Sequence, residues 1–137
     1  TKVPESLGEK FFVVSSISPA DLGTEAAEEV TELAEAAGEP DYANNIYFVQ
    51  GVVACKLAIE AINKAGDNPT PESVNEALGQ VSNFETGGLN PPLCFGPDDT
   101  YGTGLARPIR VDLGSGKFVA DGEFEDYVEF VSEDGTC

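Results

Sequence analysis

The chain has 137 residues, enough for one ordinary domain, and its 41% apolar content with eight Phe and four Tyr argues against disorder. Twenty-five Asp and Glu against seven Lys and Arg leave a net charge of −18, a surface that repels nucleic-acid phosphates and anionic lipid, so nucleic acid is not an expected partner. There is no histidine, which excludes Ser–His and Cys–His nucleophile pairs and removes the commonest metal ligand. Carboxylates in such excess suit either a salt-adapted surface or an ordinary acidic one, and neither names a ligand. The apolar stretches look shorter than a bilayer span and no charged-then-apolar leader stands at Thr1. The expectation is therefore no transmembrane segment and a signal peptide already removed.

Residues 1–8 read as a loose entry. Lys10 to Ser16, KFFVVSS, is aromatic and β-branched and reads as a buried strand that Pro19 ends. Thr24 is placed to cap a helix whose first turns carry Glu25, Glu28 and Glu29, with Val30, Leu33, Ala34 and Ala37 on one stripe and Gly38 as the stop. This acidic helix belongs on the outside of the domain.

A longer helix is expected from about Ala43 to Ala65, its apolar face made by Ile46, Val49, Val53, Leu57 and Ile62 with Ala54, Ala58 and Ala61, and Gly66 as its exit. Thr70-Pro71-Glu72 starts a third helix, which carries Val74, Ala77, Leu78 and Val81. Beyond it, 87–92 is turn-rich and Leu93-Cys94-Phe95 is a short strand. Residues 105–113 and 117–120 form a hairpin around Gly114-Ser115-Gly116, and 124–131 a final strand before a frayed tail. Pro108 confines its strand to a sheet edge or marks a switch point.

Strands separated by long helices indicate an α/β class, but the βα units are too few for a complete doubly wound sheet. The chain reads as a single segment, 1–137, of a larger fold.

Four stretches carry a family resemblance: FFVVSSISPAD, NNIYFVQGVVACKLAIEAINKAGDNPT, PESVNEALGQVSNFETGG, and PPLCFGPDDTYGTGLARPIRV with the following GKFV. In this order and spacing they resemble the C-terminal portion of the type I periplasmic binding proteins of the branched-chain amino-acid and amide group. The family's fold has two Rossmann-like lobes joined by crossovers, and the resemblance implies a non-enzymatic, extracytoplasmic solute-binding component of an ABC importer. It is periplasmic or extracellular, with or without a membrane tether. Lobe closure captures an amino acid or amide and presents it to a permease, ligand shifting an existing open–closed equilibrium. The N-terminal part of that fold is missing from the chain and counts as a partner. Hinge crossings fall near 15–19 and 106–111.

The resemblance also points to Tyr47 as the ligand-facing aromatic, with Asn45 and Tyr42 in the lead-in as polar neighbours and unpaired helix-start N–H groups beside them. A core role is the alternative for Tyr47. No cofactor or metal is implied.

Three cysteines, Cys55, Cys94 and Cys137, allow one pair with one left over, or three separate thiols. Of the pairings, Cys55 with Cys94 is favoured because Cys137 sits on a tail. Asp98-Asp99 and Glu123 with Glu125 are carboxylate pairs of the kind that chance supplies in so acidic a chain. Gly102-Thr103-Gly104 lacks the third glycine of a dinucleotide loop, Gly116-Lys117 is not followed by Ser or Thr, and Pro69 bars glycosylation at Asn68. Two alternatives to the importer subunit are a ligand-sensing receptor ectodomain of the same fold and an extracellular assembly module joined through a sheet edge or a Cys137 disulfide.

Overall fold

The computed structural model describes residues 11–96 and 102–126. The expected entry segment 1–8, the Asp98-Asp99 pair, Cys137 and most of the expected last strand lie outside them.

Three helices form where the caps direct. α1 (Ala27–Ala36) ends at Ala37 and Gly38, whose φ of +78° is a conformation glycine takes freely. Thr24 does not cap it. The Thr24 hydroxyl is buried without a partner, because the residue is packed beneath the loop at Gly88. α2 (Ile46–Lys64) starts later than expected, since Pro40–Asn44 winds as a 3₁₀ turn before Asn45 caps the helix. α3 (Pro71–Leu78) has the full capping box, in which the Thr70 Oγ1 accepts the Ser73 N–H and Ser73 Oγ accepts the Thr70 N–H.

The core is assembled from α1, the first half of α2 and the loop that follows α3. Val30, Ala34, Val49, Val53, Leu89 and Leu93 meet there. The 86–90 stretch, turn-like in composition, is the most buried loop of the molecule's described part. Leu89 is fully enclosed, and Thr86 and Asn90 exchange bonds through the Thr86 hydroxyl, which donates to Asn90 O (2.6 Å) and accepts the Asn90 N–H (2.9 Å). Its carbonyls also hold the neighbouring chain. Gly87 O accepts the Ala26 N–H at 3.0 Å and Leu89 O the Ser18 N–H at 2.7 Å. Lys56 of α2 forms an ion pair with Glu29 of α1.

The sheet has four strands: β1 (Phe12–Ser15), β2 (Leu105–Val111), β3 (Phe118–Ala120) and β4 (Glu125–Asp126). All described pairings are antiparallel, with β2 between β1 on one side and β3 and β4 on the other. Pro108 is therefore not at an edge. Its carbonyl accepts the Asp121 N–H at 2.9 Å, so its missing N–H points to the same side, past the end of β3 where pairing changes to β4. The lost donor falls in the gap between partners.

β1 is a strand, as expected, but it is not buried: Phe12 is 57% and Val13 47% exposed. Composition reported a strand that wants cover, and no described element covers it. Ala54, Ala58 and Ile62, which belong to the expected apolar face of α2, are exposed as well. α2 is also long and apolar enough to cross a membrane by length and composition, which corrects the expectation that no stretch is. The expected hairpin forms, its turn closed by Gly116 N–H to Asp112 O (2.7 Å) with Gly116 at φ +73°. The Ser115 hydroxyl and then the Gly114 N–H donate to the Asp112 carboxylate, which holds its pKa below the usual value.

Two predictions follow from this packing. Gly87 has φ +69°, and an added Cβ would stand 2.7 Å from the Cβ of Ala26. Gly87→Ala is expected to destabilise the chain by roughly 2–4 kcal/mol in denaturant unfolding, since strain and overpacking add. The Asp112 carboxylate contributes to the turn above the ordinary carboxylate pKa, and that contribution disappears as pH falls through its lowered folded value. NMR titration should show the Asp112 midpoint below that of a free Asp, and Ser115→Ala should raise it.

Candidate functional site

Asn45 is the residue that the local sequence commits most firmly. Its Oδ1 accepts the backbone N–H of Tyr47 at 2.9 Å and of Phe48 at 3.4 Å, so the helix-start donors expected to be open to a ligand are already taken. Tyr42 lies in the 3₁₀ turn with its ring 5.9 Å from that of Phe48, tilted by 52°. Tyr47, whose N–H the Asn45 cap holds, is 82% exposed on the first turn of α2. Asn45 and Tyr42 are thus engaged within the chain, whereas Tyr47 offers its whole ring to whatever approaches.

The lead-in to α2 is held from a distance. Asn44 Oδ1 accepts the Asp21 N–H at 2.9 Å, and the Asp21 carboxylate accepts the Phe118 N–H of β3 at 3.1 Å. Asp21 thereby couples the approach to Tyr47 with the hairpin.

A pocket of about 170 Å³ opens beside α2, one helical turn beyond Tyr47. Gln50, Val53, Ala54 and Leu57 form its helical wall, and Ser16 closes it from the end of β1. Asn90, Leu93, Phe95 and Thr103 supply the rest. Its chemistry is neutral: four polar side chains among apolar ones and no ionisable group. None of Tyr42, Asn45 and Tyr47 lines it. Asn90 is almost fully buried and its Oδ1 has no hydrogen-bond partner.

The two expected crossing segments are brought together. Ser15 lies opposite Arg107 and Val14 opposite Pro108. An unexpected residue ties them: the Arg107 Nη2 donates to Ser18 Oγ at 2.7 Å, and Ser18 is fully buried. The guanidinium also lies 4.4 Å from the centroid of the Phe124 ring. Burial lowers the Arg107 pKa, with Glu123 acting in the opposite direction. Arg107 and Ser18 are 89 residues apart, so no local pattern announces the pair.

The disulfide expected between Cys55 and Cys94 does not form. Cys55 is a free, exposed thiol on α2, whereas Cys94 is disulfide-bonded. Cys94 instead sits in the segment that pairs with Phe84 through Leu93 and with Gly102. Among the described residues no group of His, Cys, Asp and Glu could hold a metal ion.

No family model matches the sequence, and no curated protein does. The fold does match solved structures. A branched-chain amino-acid ABC transporter protein from Thermus thermophilus with bound valine superposes with TM-score 0.73 at 20% identity, over 86% of this chain and 34% of that one. A fatty-acid ABC transporter substrate-binding protein from Thermomonospora curvata gives 0.73 at 20% identity, over 90% and 33%. An ABC-transporter substrate-binding protein from Aeropyrum pernix gives 0.64 at 23% identity, over 89% and 33%. The chain thus has the fold of a C-terminal portion of a type I periplasmic binding protein, and it spans about a third of the length of the chains it matches.

The Arg107–Ser18 contact generates a prediction. Arg107→Ala strands a buried hydroxyl and should cost about 1–3 kcal/mol in denaturant unfolding. Ser18→Ala added to it should then cost less than Ser18→Ala alone, a coupling that a double-mutant cycle measures.

Proposed function

We infer that the chain is the C-terminal part of an extracytoplasmic solute-binding component of an ABC importer, which captures a small aliphatic solute such as a branched-chain amino acid or amide. The observation that carries this reading is the fold match over 86–90% of the chain to substrate-binding proteins of ABC transporters, one of them with valine bound. The antiparallel contact of 12–15 with 107–110 supports it further, because two neighbouring crossing strands make a hinge about which lobes can rotate. On this reading 15–19 and 106–111 are hinge crossings and the permease is the downstream partner. The missing N-terminal part supplies most of the polar grip on the solute.

Within the chain, Tyr47 is the residue offered to the ligand. Its ring is exposed, mounted on a capped helix start, and free of the internal contacts that occupy Asn45 and Tyr42. It contributes apolar contact area in the cleft, not charge. The protein is a binder on this reading, and lobe closure rather than bond chemistry is its work.

Calorimetry tests the reading. Valine, and separately a fatty acid, is titrated into the 137-residue chain and into a longer polypeptide in which the rest of the fold is present. Binding to the longer polypeptide alone is expected, and Tyr47→Ala should weaken it several-fold with its Tm unchanged, because an exposed ring contributes little to folding. Tight stoichiometric binding to the 137-residue chain would overturn the division of the cleft. A longer polypeptide that binds neither solute class would overturn the function.

A further inference from the structure

The sheet reaches the helix core through the chain itself, at Ser16 after β1 and at Gly104 before β2, and through two long-range side-chain hydrogen bonds. The first is that of Arg107 Nη2 to Ser18 Oγ, 2.7 Å, immediately beside the crossing. The second runs from the Phe118 N–H of β3 to the Asp21 carboxylate, 3.1 Å, at the other end of the ladder. β1 leaves Phe12, Val13 and Val14 exposed instead of laying them on the core. Apolar packing of that strand therefore does not fix the angle between sheet and core.

The two contacts are built differently. Arg107 grips one neutral hydroxyl with one N–H, a joint about which the guanidinium can swivel, whereas a bidentate carboxylate would lock its plane. Phe124 holds the guanidinium on the sheet side, its ring centroid 4.4 Å away, and the Leu89 carbonyl holds Ser18 on the core side through the Ser18 N–H at 2.7 Å. Among the described residues Arg107 has no carboxylate at ion-pair distance, although Lys56, Lys64 and Arg110 each have one. Asp21 is anchored at its base, where its own N–H donates to Asn44 Oδ1 at 2.9 Å. It meets the sheet with one charge-assisted bond to a β3 N–H that β2 does not take, and that bond is made or lost whole.

Resting on the functional reading above, in which sheet and core lie on opposite sides of the hinge crossings, we propose that Asp21 is the latch of that hinge. Its bond to Phe118 holds one angle between sheet and core, and the Arg107–Ser18 joint is the pivot about which the sheet turns when the bond opens. Distance from the crossing decides the assignment. Phe118 pairs with Val111, four residues beyond Arg107 along β2, which is roughly 13 Å at the rise of a strand. A turn of about 15° at the pivot carries a point that far away through roughly 3 Å, enough to part a hydrogen bond of 3.1 Å, and moves Arg107 by only a fraction of that. A carboxylate on a single backbone N–H is strong enough to hold the setting and single enough to release it. Asp21 thereby sets the angle populated without solute, and through that population the apparent affinity.

Double electron–electron resonance tests this on a longer polypeptide in which the rest of the fold is present. Spin labels are placed at Glu35→Cys on α1 and Leu113→Cys beside the hairpin turn, both exposed positions, with Cys55→Ser to keep α2 unlabelled. Without solute, Asp21→Ala is expected to shift the main distance by roughly 3 Å or to split it, because the far end of the sheet is freed. Asp21→Asn keeps an accepting oxygen and should keep the parental distance. Asn44→Ala, which loosens the base of Asp21, should broaden it. Thr70→Ala removes the cap of α3, away from the hinge, and should lower the Tm with the distance unchanged. Valine, or a fatty acid, titrated by calorimetry should bind Asp21→Ala with an affinity altered at least about threefold, and saturating solute should bring both proteins to one distance. A parental distance distribution in Asp21→Ala overturns the proposal, and so does an equal shift in Thr70→Ala. The two readings fail separately: solute bound with an unmoved distance removes only the latch, and a moved distance without solute binding removes only the function.

Discussion

The buried loop at 86–90 is the constraint on which the described structure depends. Leu89 fills the space that α1 and α2 leave, and two loop carbonyls hold Ala26 at the entry to α1 and Ser18 after β1. Only a glycine at 87 lets the backbone come this close to Ala26. The core is thus a helix pair sealed by a loop, and the sheet hangs beside it. That arrangement explains why β1 can be well hydrogen-bonded to β2 while its side chains meet no core.

Local chemistry was legible wherever it is local. Thr70-Pro71 announced α3, Gly38 announced the end of α1, and Gly114-Ser115-Gly116 announced the hairpin, because caps and turns are settled within four or five residues. Burial was not legible in the same way. Apolar content says which side chains gain from cover, but not whether a neighbour supplies it. Phe12, Val13 and Ile62 therefore looked like core and are exposed. Leu89 was the reverse case, a lone apolar residue in a Gly- and Asn-rich stretch that reads as surface turn.

The candidate site divides along the same line. Asn45 was expected as a polar neighbour of the ligand, and its geometry makes it the cap of α2. Tyr47, one position into the helix, is left free by that cap. The contacts of Arg107 with Ser18 and of Asp21 with Asn44 and Phe118 join residues far apart in the chain, so they became visible only with the fold. The cysteine assignment failed for the same reason: pairing needs proximity, and α2 turns Cys55 outward to solvent.

Asp21 gives the molecule a mechanical property. Its backbone N–H is bound to Asn44, just ahead of α2, and its carboxylate to the first residue of β3. One short side chain thus acts as a strut between hairpin and helix. The hairpin and the approach to α2 are thereby fastened to one residue, which ties the position of β3 to the turn that leads to Tyr47.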